Sequence, residues 1–379
     1  MKKILYLLLF VNASSILIAK TPYDPIAILV AVGPMGEGNE AATKAWPKAA
    51  ALGAETLPEL LTAMDKASGI GQNWLRAAVD TIVQRTLKEG KKLPTKELND
   101  FLANTKHIPA SRRLAFELIQ KASPKRAAKL VPGFIDDPAP ELRRDAVALI
   151  IEKAVGESNE DSACFLYEKA LAAARDVDQI ELTAEALREK EREVDLPKIM
   201  GFLMRWKVIG PFDNTDRNGF AVPYPPEKKI DFSASYEGKS GKVKWSDFST
   251  SDQFGKVDIN LEYGELKEVV AYAHNTFELS EARELQFRLG CKNAWKVWLN
   301  GELLFARDEY HRGQRIDQYV FSAKLKKGKN EILVKFCQNE QQQSWTKQWE
   351  FQLRVTDASG TAVLADNRLP TPKAPAPKR

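Results

Sequence analysis

Residues 202–214 read FLMRWKVIGPFDN, and they mark the point where the chain changes rhythm. Upstream, some 160 residues carry apolar side chains at helical spacing; downstream, short runs alternate in twos between glycine turns. Within Arg205–Ile209, Trp206 and Val208 share one face and Lys207 takes the other, as a half-buried strand requires. Gly210-Pro211 is expected to end the pairing, because proline cannot donate to a ladder. Phe212 should then fold back as a plug, with Gly219-Phe220 and YPPE (Tyr224–Glu227) closing the edge of a β-domain. The stretch therefore needs no ligand to explain it.

Working downstream, eight further runs read as strands: KVKWSDF, VDINLEY, VVAYAHNTFEL, ARELQFRLGC, AWKVWLNGELLFA, QYVFSAKL, NEILVKFCQ and WEFQLRVTD. Even spacing with turn residues between them predicts an antiparallel, jelly-roll-like β-sandwich over residues 196–365. Asn300-Gly301, flanked by KVWL and ELLF, is the strongest hairpin signal, since a type I′ turn wants φ > 0 at both places. Trp295 and Trp298, three apart, fall on opposite faces of one strand. The combination AWKVWLNGELLF…YVFSAKLKKGKNEILVKF resembles the galactose-binding-like sandwich found as the sugar-binding domain of family 2 glycoside hydrolases and in related carbohydrate-binding modules. The likeness covers Arg283–Phe336 well and the rest of Met204–Val363 loosely. It implies a binding or accessory module, whose members hold a glycan, a neighbouring domain or a structural calcium; it does not imply hydrolysis.

Upstream, residues 37–195 read as helix pairs. RAAVDTIV from Arg76, RLAFELIQ from Arg113 and RDAVALII from Arg144 superimpose, with starts 37 and 31 residues apart. A period of that length predicts an α-solenoid. LVPGFIDDPAPELRRDAVALIIEKA (Leu130–Ala154) resembles a HEAT repeat: Pro138 and Pro140 stop and restart helices, and Glu141 suits a helix N-terminus. SACFLYEKALAAARDVDQIELTAEALREKE (Ser162–Glu191) looks more like a tetratricopeptide pair. The whole order resembles secreted bacterial proteins that join HEAT repeats to such a sandwich, and the fold type suggests a protein partner on the helical array.

The first residues, MKKILYLLLFVNASSILIA, have the order of a secretory signal peptide: two lysines, a short apolar run, then small residues. Residues 1–19 are read as this leader, giving a secreted or periplasmic protein. A membrane anchor is the alternative, but Asn12, Ser14 and Ser15 interrupt a run shorter than the roughly 20 apolar residues needed to span. No stable membrane insertion is expected after cleavage. Residues 366–379, ending LPTPKAPAPKR, read as a disordered Pro/Lys-rich tail. The formal charge of +5 includes Lys2 and Lys3 of the leader and four basic residues against one acidic in the tail, so the body is near neutral. A basic stripe is missing, and nucleic acid is not expected as a partner. Cys164, Cys291 and Cys337 fit no zinc spacing. Cys164 reads as a core thiol, while Cys291 and Cys337 are compatible with one bridge or with two free thiols.

A sugar site needs an exposed ring for stacking and planar polar groups for hydroxyls. The loop ARDEYHRGQRIDQ supplies Asp308, Glu309, Tyr310, His311, Arg312 and Arg315; the loop CQNEQQQSWTKQWE supplies Gln343, Trp345 and Trp349. If their strands are neighbours, the loops meet at one end of the sandwich. Tyr310, His311, Arg315, Gln343 and Trp345 are therefore the candidate carbohydrate-binding residues, against the reading in which both tryptophans cap the core. His107, His274 and His311 are scattered and give neither a metal triad nor a nucleophile partner. No Walker, Rossmann or GxSxG pattern occurs. The expectation is a non-catalytic exported protein binding a polysaccharide or glycoconjugate, with a purely scaffolding protein as second reading and a glycoside hydrolase or its accessory as third.

Overall fold

In a computed structural model the described residues are 24–373, so the leader expected at 1–19 and residues 374–379 of the expected tail lie outside them. The chain divides into two compact units between Lys129 and Leu130. The first is helical: α1 (Pro25–Val30), α2 (Asn39–Ala50), α3 (Leu57–Met64), α4 (Gly69–Lys88), α5 (Thr95–Ala103) and α6 (Pro109–Ala122), with α7 (Pro124–Leu130) at the division. Asp24 caps α1 and Ser68 caps α4 through side-chain oxygens, while Pro109 opens α6 where no N–H is needed. The helix α4 packs on α1, α2 and α3, and α6 packs on α3 and α5. Asp65, just past α3, accepts from Ile108 N (3.1 Å) and Ser111 Oγ (3.0 Å) and meets His107 Nδ1 at 2.6 Å. His107 in turn stacks on Phe101 at 3.8 Å, so one carboxylate ties three helix ends.

The second unit continues with α8 (Pro140–Val155), α9 (Glu160–Ala173), α10 (Val177–Glu189) and α11 (Leu196–Met200). Strands follow: β1 (Arg205–Asp213), then, after the short helix α12 (Pro225–Lys228), β2 (Ser235–Gly238), β3 (Gly241–Lys244), β4 (Ser246–Ser249) and β5 (Val257–Asp258). After a helical turn α13 (Asn260–Tyr263) come β6 (Val269–Leu279), β7 (Arg283–Cys291), β8 (Ala294–Leu299), β9 (Glu302–Arg307), β10 (Tyr319–Leu325), β11 (Gly328–Gln338) and β12 (Glu350–Thr356). One antiparallel sheet has the order β4-β1-β6-β11-β8-β9 and the other β10-β7-β12-β5; β2 and β3 form a separate hairpin. Alternate residues of both sheets, among them Phe287, Trp295, Val334, Phe336, Phe351 and Leu353, build one shared core. The Asn300-Gly301 turn has φ of 53° and 87°, which closes the β8–β9 hairpin. Trp295 enters the shared core and Trp298 the opposite face.

That opposite face of the larger sheet is not open. Ile209, Phe212, Tyr272, Trp298, Leu333 and Cys337 form a second apolar layer beneath segment 214–245, which contributes Phe220, Tyr224, Tyr236 and Trp245. At its centre stands Lys335, which has no solvent exposure. Its Nζ donates to Phe220 O (3.1 Å) and Val222 O (2.8 Å) and meets Glu227 Oε1 at 2.8 Å, while Tyr272 OH donates to the same carboxylate at 2.5 Å. Burial pulls the Lys335 ammonium below its ordinary range, opposed by the Glu227 hydrogen bond. YPPE thus delivers Glu227 to a buried cation, covering a face and not merely an edge.

Several expectations are corrected. Gly210-Pro211 does not end β1: pairing resumes at Phe212↔Val270 after a register shift, which turns Phe212 to the outer face. VDINLEY is a strand only at Val257–Asp258, because Asn260 starts a helical turn stabilised by the Asp258 carboxylate. Cys164 is a buried free thiol as expected, and of the two readings left open for Cys291 and Cys337 the structure has two free thiols, Cys291 facing the shared core and Cys337 the outer layer, on different sheets. The division at Lys129/Leu130 differs from the boundary expected at 195/196. The reason is a joint core, in which residues of α8–α11 pack with Phe202 and Met204 and Phe202 bridges Arg354 of β12. Residues 366–373 are docked: Asp366 N donates to Glu278 O (2.9 Å), Arg368 Nη1 to Phe202 O (2.8 Å) and Thr371 Oγ1 to the Asp195 carboxylate (2.9 Å).

Two stability predictions follow from buried charge. Glu227→Gln leaves Lys335 without its counter-charge and should lower stability by about 3 kcal/mol, read from calorimetric unfolding, whereas Glu227→Gln with Lys335→Met should recover part of that loss. Glu350 and Asp258 lie directly opposite one another in the β12–β5 ladder, and burial raises both carboxyl groups above their ordinary range. A raised acid favours the folded state only where it is protonated, so the pair penalises folding above the carboxylate range. Glu350→Gln should therefore raise the melting temperature at pH 7, and the gain should vanish below about pH 4.

Candidate functional site

In the larger sheet every neighbouring pair is antiparallel, so β1, β11 and β9 run the same way. Their C-terminal ends leave the sandwich at one end, and three loops meet there: 214–220, 308–318 and 339–349. The bases of these loops are knitted by buried amides. Asn214 Nδ2 donates to Gln338 O (2.9 Å) and Tyr310 OH (3.1 Å). Gln338 accepts from Asn293 Nδ2 (3.1 Å) and donates to Thr346 O (3.0 Å). Thr346 Oγ1 closes its own turn on Gln341 O (2.8 Å) and Gln343 O (2.7 Å). Arg217 forks onto Glu340, Nε to Oε2 at 3.0 Å, and this hydrogen bonding holds the Glu340 carboxyl down at about 2.

Above this base lies a cleft of about 450 Å³ lined by Arg217, Asp308, Glu309, Tyr310, His311, Arg312, Asn339, Gln341 and Trp345. Trp345 is 54% exposed and sits on a short helical turn, Ser344–Thr346. His311 meets the Trp345 ring edge-on, centroids 5.3 Å apart at 87°. The His311 backbone, at φ 58°, donates to Lys292 O (2.7 Å), and its Nε2 lies 2.9 Å from Asn339 Oδ1. Burial lowers the His311 pKa, so the ring is neutral at pH 7. Its Nε2 then donates to Asn339 and its Nδ1 is left without a partner. Tyr310 lies under the Arg217 guanidinium, 5.3 Å from the ring centroid, and burial pushes its hydroxyl upward.

Of the five candidate residues, the structure brings Tyr310, His311 and Trp345 together. Arg315 is exposed elsewhere on the loop, whose backbone crosses β7 at Gly290; a Cβ there would overlap the Arg315 carbonyl oxygen. Gln343 is exposed and outside the cleft lining; its backbone carbonyl accepts from Thr346 at the start of the Trp345 turn. Trp349 is fully buried and belongs to the core. Arg217, Asn339 and Gln341 were not among the candidates. Among the described residues no group of three or more His, Cys, Asp or Glu side chains is placed to hold a metal ion, so the calcium that the resemblance suggested finds no side-chain cage. No described helix is long and apolar enough to cross a membrane.

No family model matches the chain, and no curated protein matches it. Among solved structures it is similar to the family 31 α-xylosidase from Xanthomonas citri, at 12% identity over 30% of this chain and 15% of that one, with TM-score 0.20. It is similar also to a family 35 carbohydrate-binding module from Clostridium thermocellum, at 11% identity over 27% of this chain and 85% of that one, with TM-score 0.18. A β-glucosidase from Kluyveromyces marxianus matches at 11% identity over 78% of this chain and 38% of that one, with TM-score 0.26. The chain spans less than half the length of either enzyme. These likenesses are too slight to carry an argument about function.

Gln338 joins β11, the Asn293 turn and the Trp345 turn, so Gln338→Ala should cost about 1–3 kcal/mol by leaving buried groups unpaired. Calorimetry should show that loss, with quicker amide hydrogen exchange in 339–349.

Proposed function

We propose that the protein is an exported, non-catalytic binding protein whose sandwich takes a polysaccharide or glycoconjugate at the Trp345 cleft, while its helix pairs dock a protein partner. One observation carries the reading. A half-exposed tryptophan ring stands on a base knitted by the Asn214 and Gln338 amides, braced by His311, beside Asn339, Gln341, Asp308 and Glu309. An apolar ring face with planar polar groups around it suits a sugar, whose C–H face stacks and whose hydroxyls take and give hydrogen bonds. The cleft carboxylates Asp308 and Glu309 are chain neighbours and not a pair facing each other across a gap, which favours binding over glycoside cleavage.

The helical part of the reading is that of a HEAT-like array. Arg112 and Arg143 hold equivalent places, one residue before two of the matched segments. Each gives its Nε to a backbone carbonyl upstream of its own helix, Leu102 O near the end of α5 at 2.9 Å and Asp137 O at 2.8 Å. Export rests on the order of residues 1–19 alone. A scaffolding role without any small ligand is favoured by the joint core of α8–α11 with Phe202 and Met204, which suits a rigid spacer.

The test is affinity electrophoresis and glycan-array binding of the whole chain. Retention on at least one polysaccharide is expected, and Trp345→Ala should abolish it while changing stability by no more than about 0.5 kcal/mol. Absence of retention on every glycan would leave the scaffolding reading, and turnover of any aryl glycoside would refute the non-catalytic one.

A further inference from the structure

A second cavity lies at the opposite end of β1, and its chemistry differs. Beyond His274 the edge of β6 is free of β1, and the chain returning from β12 docks on it instead. Asp366 N donates to Glu278 O (2.9 Å), Asn367 Nδ2 to Thr276 O (3.0 Å) and Glu278 N to Asn367 Oδ1 (3.2 Å). Between this returning segment and the start of β1 is a cavity of about 340 Å³, walled by Met204, Phe277 and Val363 among others. Two arginines, Arg205 and Arg368, and the imidazole of His274 share the lining.

Arg368 and His274 each keep a buried nitrogen without a partner. Arg368 gives Nη1 to Phe202 O (2.8 Å), and its Nη2 is buried without a partner. Arg205 gives Nη2 to Pro370 O (3.1 Å). Neither guanidinium makes an ion pair among the described residues, whereas the neighbouring Lys207 is already matched by Asp247 at 2.6 Å. His274 is 3% exposed and its Nε2 has no partner. A guanidinium carries five donors and a fixed positive charge; Arg205 is exposed and keeps its free donors in water at the mouth, whereas the half-buried Arg368 has an inner donor that no carbonyl answers. Such a lining suits an anion, and its apolar walls suit a hydrocarbon body behind that anion. A volume of this size lies within the range of small-molecule sites.

We propose that this cavity binds a small organic carboxylate, with the carboxylate on Arg368 and Arg205 and the hydrocarbon part against Met204, Phe277 and Val363. The site is separate from the Trp345 cleft, and its occupancy does not depend on any glycan. Binding would fasten the returning segment to β6 and β1 by filling the space between them.

Isothermal titration of the whole chain with sodium hexanoate, hexanamide and inorganic phosphate tests it. Hexanoate should bind one to one with Kd below about 1 mM, and hexanamide and phosphate at least tenfold more weakly. Arg368→Met should weaken hexanoate at least tenfold and leave hexanamide unchanged; Arg205→Met serves if that variant does not fold. Leu364→Trp, which fills the cavity, should remove hexanoate binding while the melting temperature is retained. Equal affinity for hexanoate and hexanamide, equal affinity for phosphate, no heat with hexanoate, or full hexanoate affinity in the folded arginine variant would each overturn the proposal.

Discussion

A lysine with no access to water must be surrounded by acceptors, and Lys335 draws the second unit together for that reason. Its partners are two carbonyls and a carboxylate contributed by residues 220–227, more than a hundred positions earlier in the chain. To supply them, segment 214–245 must lie across the larger sheet, and once there it buries Phe220, Tyr224 and Trp245 on the layer below. The ion pair contributes little by itself, because desolvation offsets much of the attraction. What it fixes is the placement of the cover, since any other register would strand a charge. With that face closed, the openings of the sandwich are at its ends and seams.

The same logic separates what was legible in the sequence from what was not. Alternation in β6, β7, β8 and β11 gives faces directly, and Asn300-Gly301 announces its own turn, because those signals are local. The joint core was hidden, since the apolar stripe of α9 or α10 reads the same whether it meets another helix or Phe202. Phe202 pairs with Arg354, and nothing nearby in the chain predicts a partner so distant. Proline and lysine gave residues 366–373 the look of a loose tail, but backbone and Asn367 pairing with β6 overrides composition.

The candidate site shows the same split. Its inventory was readable, because Tyr310, His311 and Trp345 sit in two loops after strands that are separated only by β8. Arg217 was not, because it depends on β1 running in the same direction as β9 and β11. Arg315 and Gln343 were plausible by residue type, yet both are exposed outside the cleft lining. The left-handed residues His311, Gly313 and Asp317 bend the first loop, and Asp317 is held by Arg288 and Arg354.

The docked end of the chain has a mechanical consequence. Arg368 holds the backbone at Phe202, Arg205 holds Pro370, and Thr371 reaches the residue that caps α11. Tension applied beyond Lys373 would load those three contacts in shear before any strand of the sandwich began to peel. The chain is thereby fastened, as far as Thr371, at the junction of helices and sheet, like a handle bolted to a hinge plate.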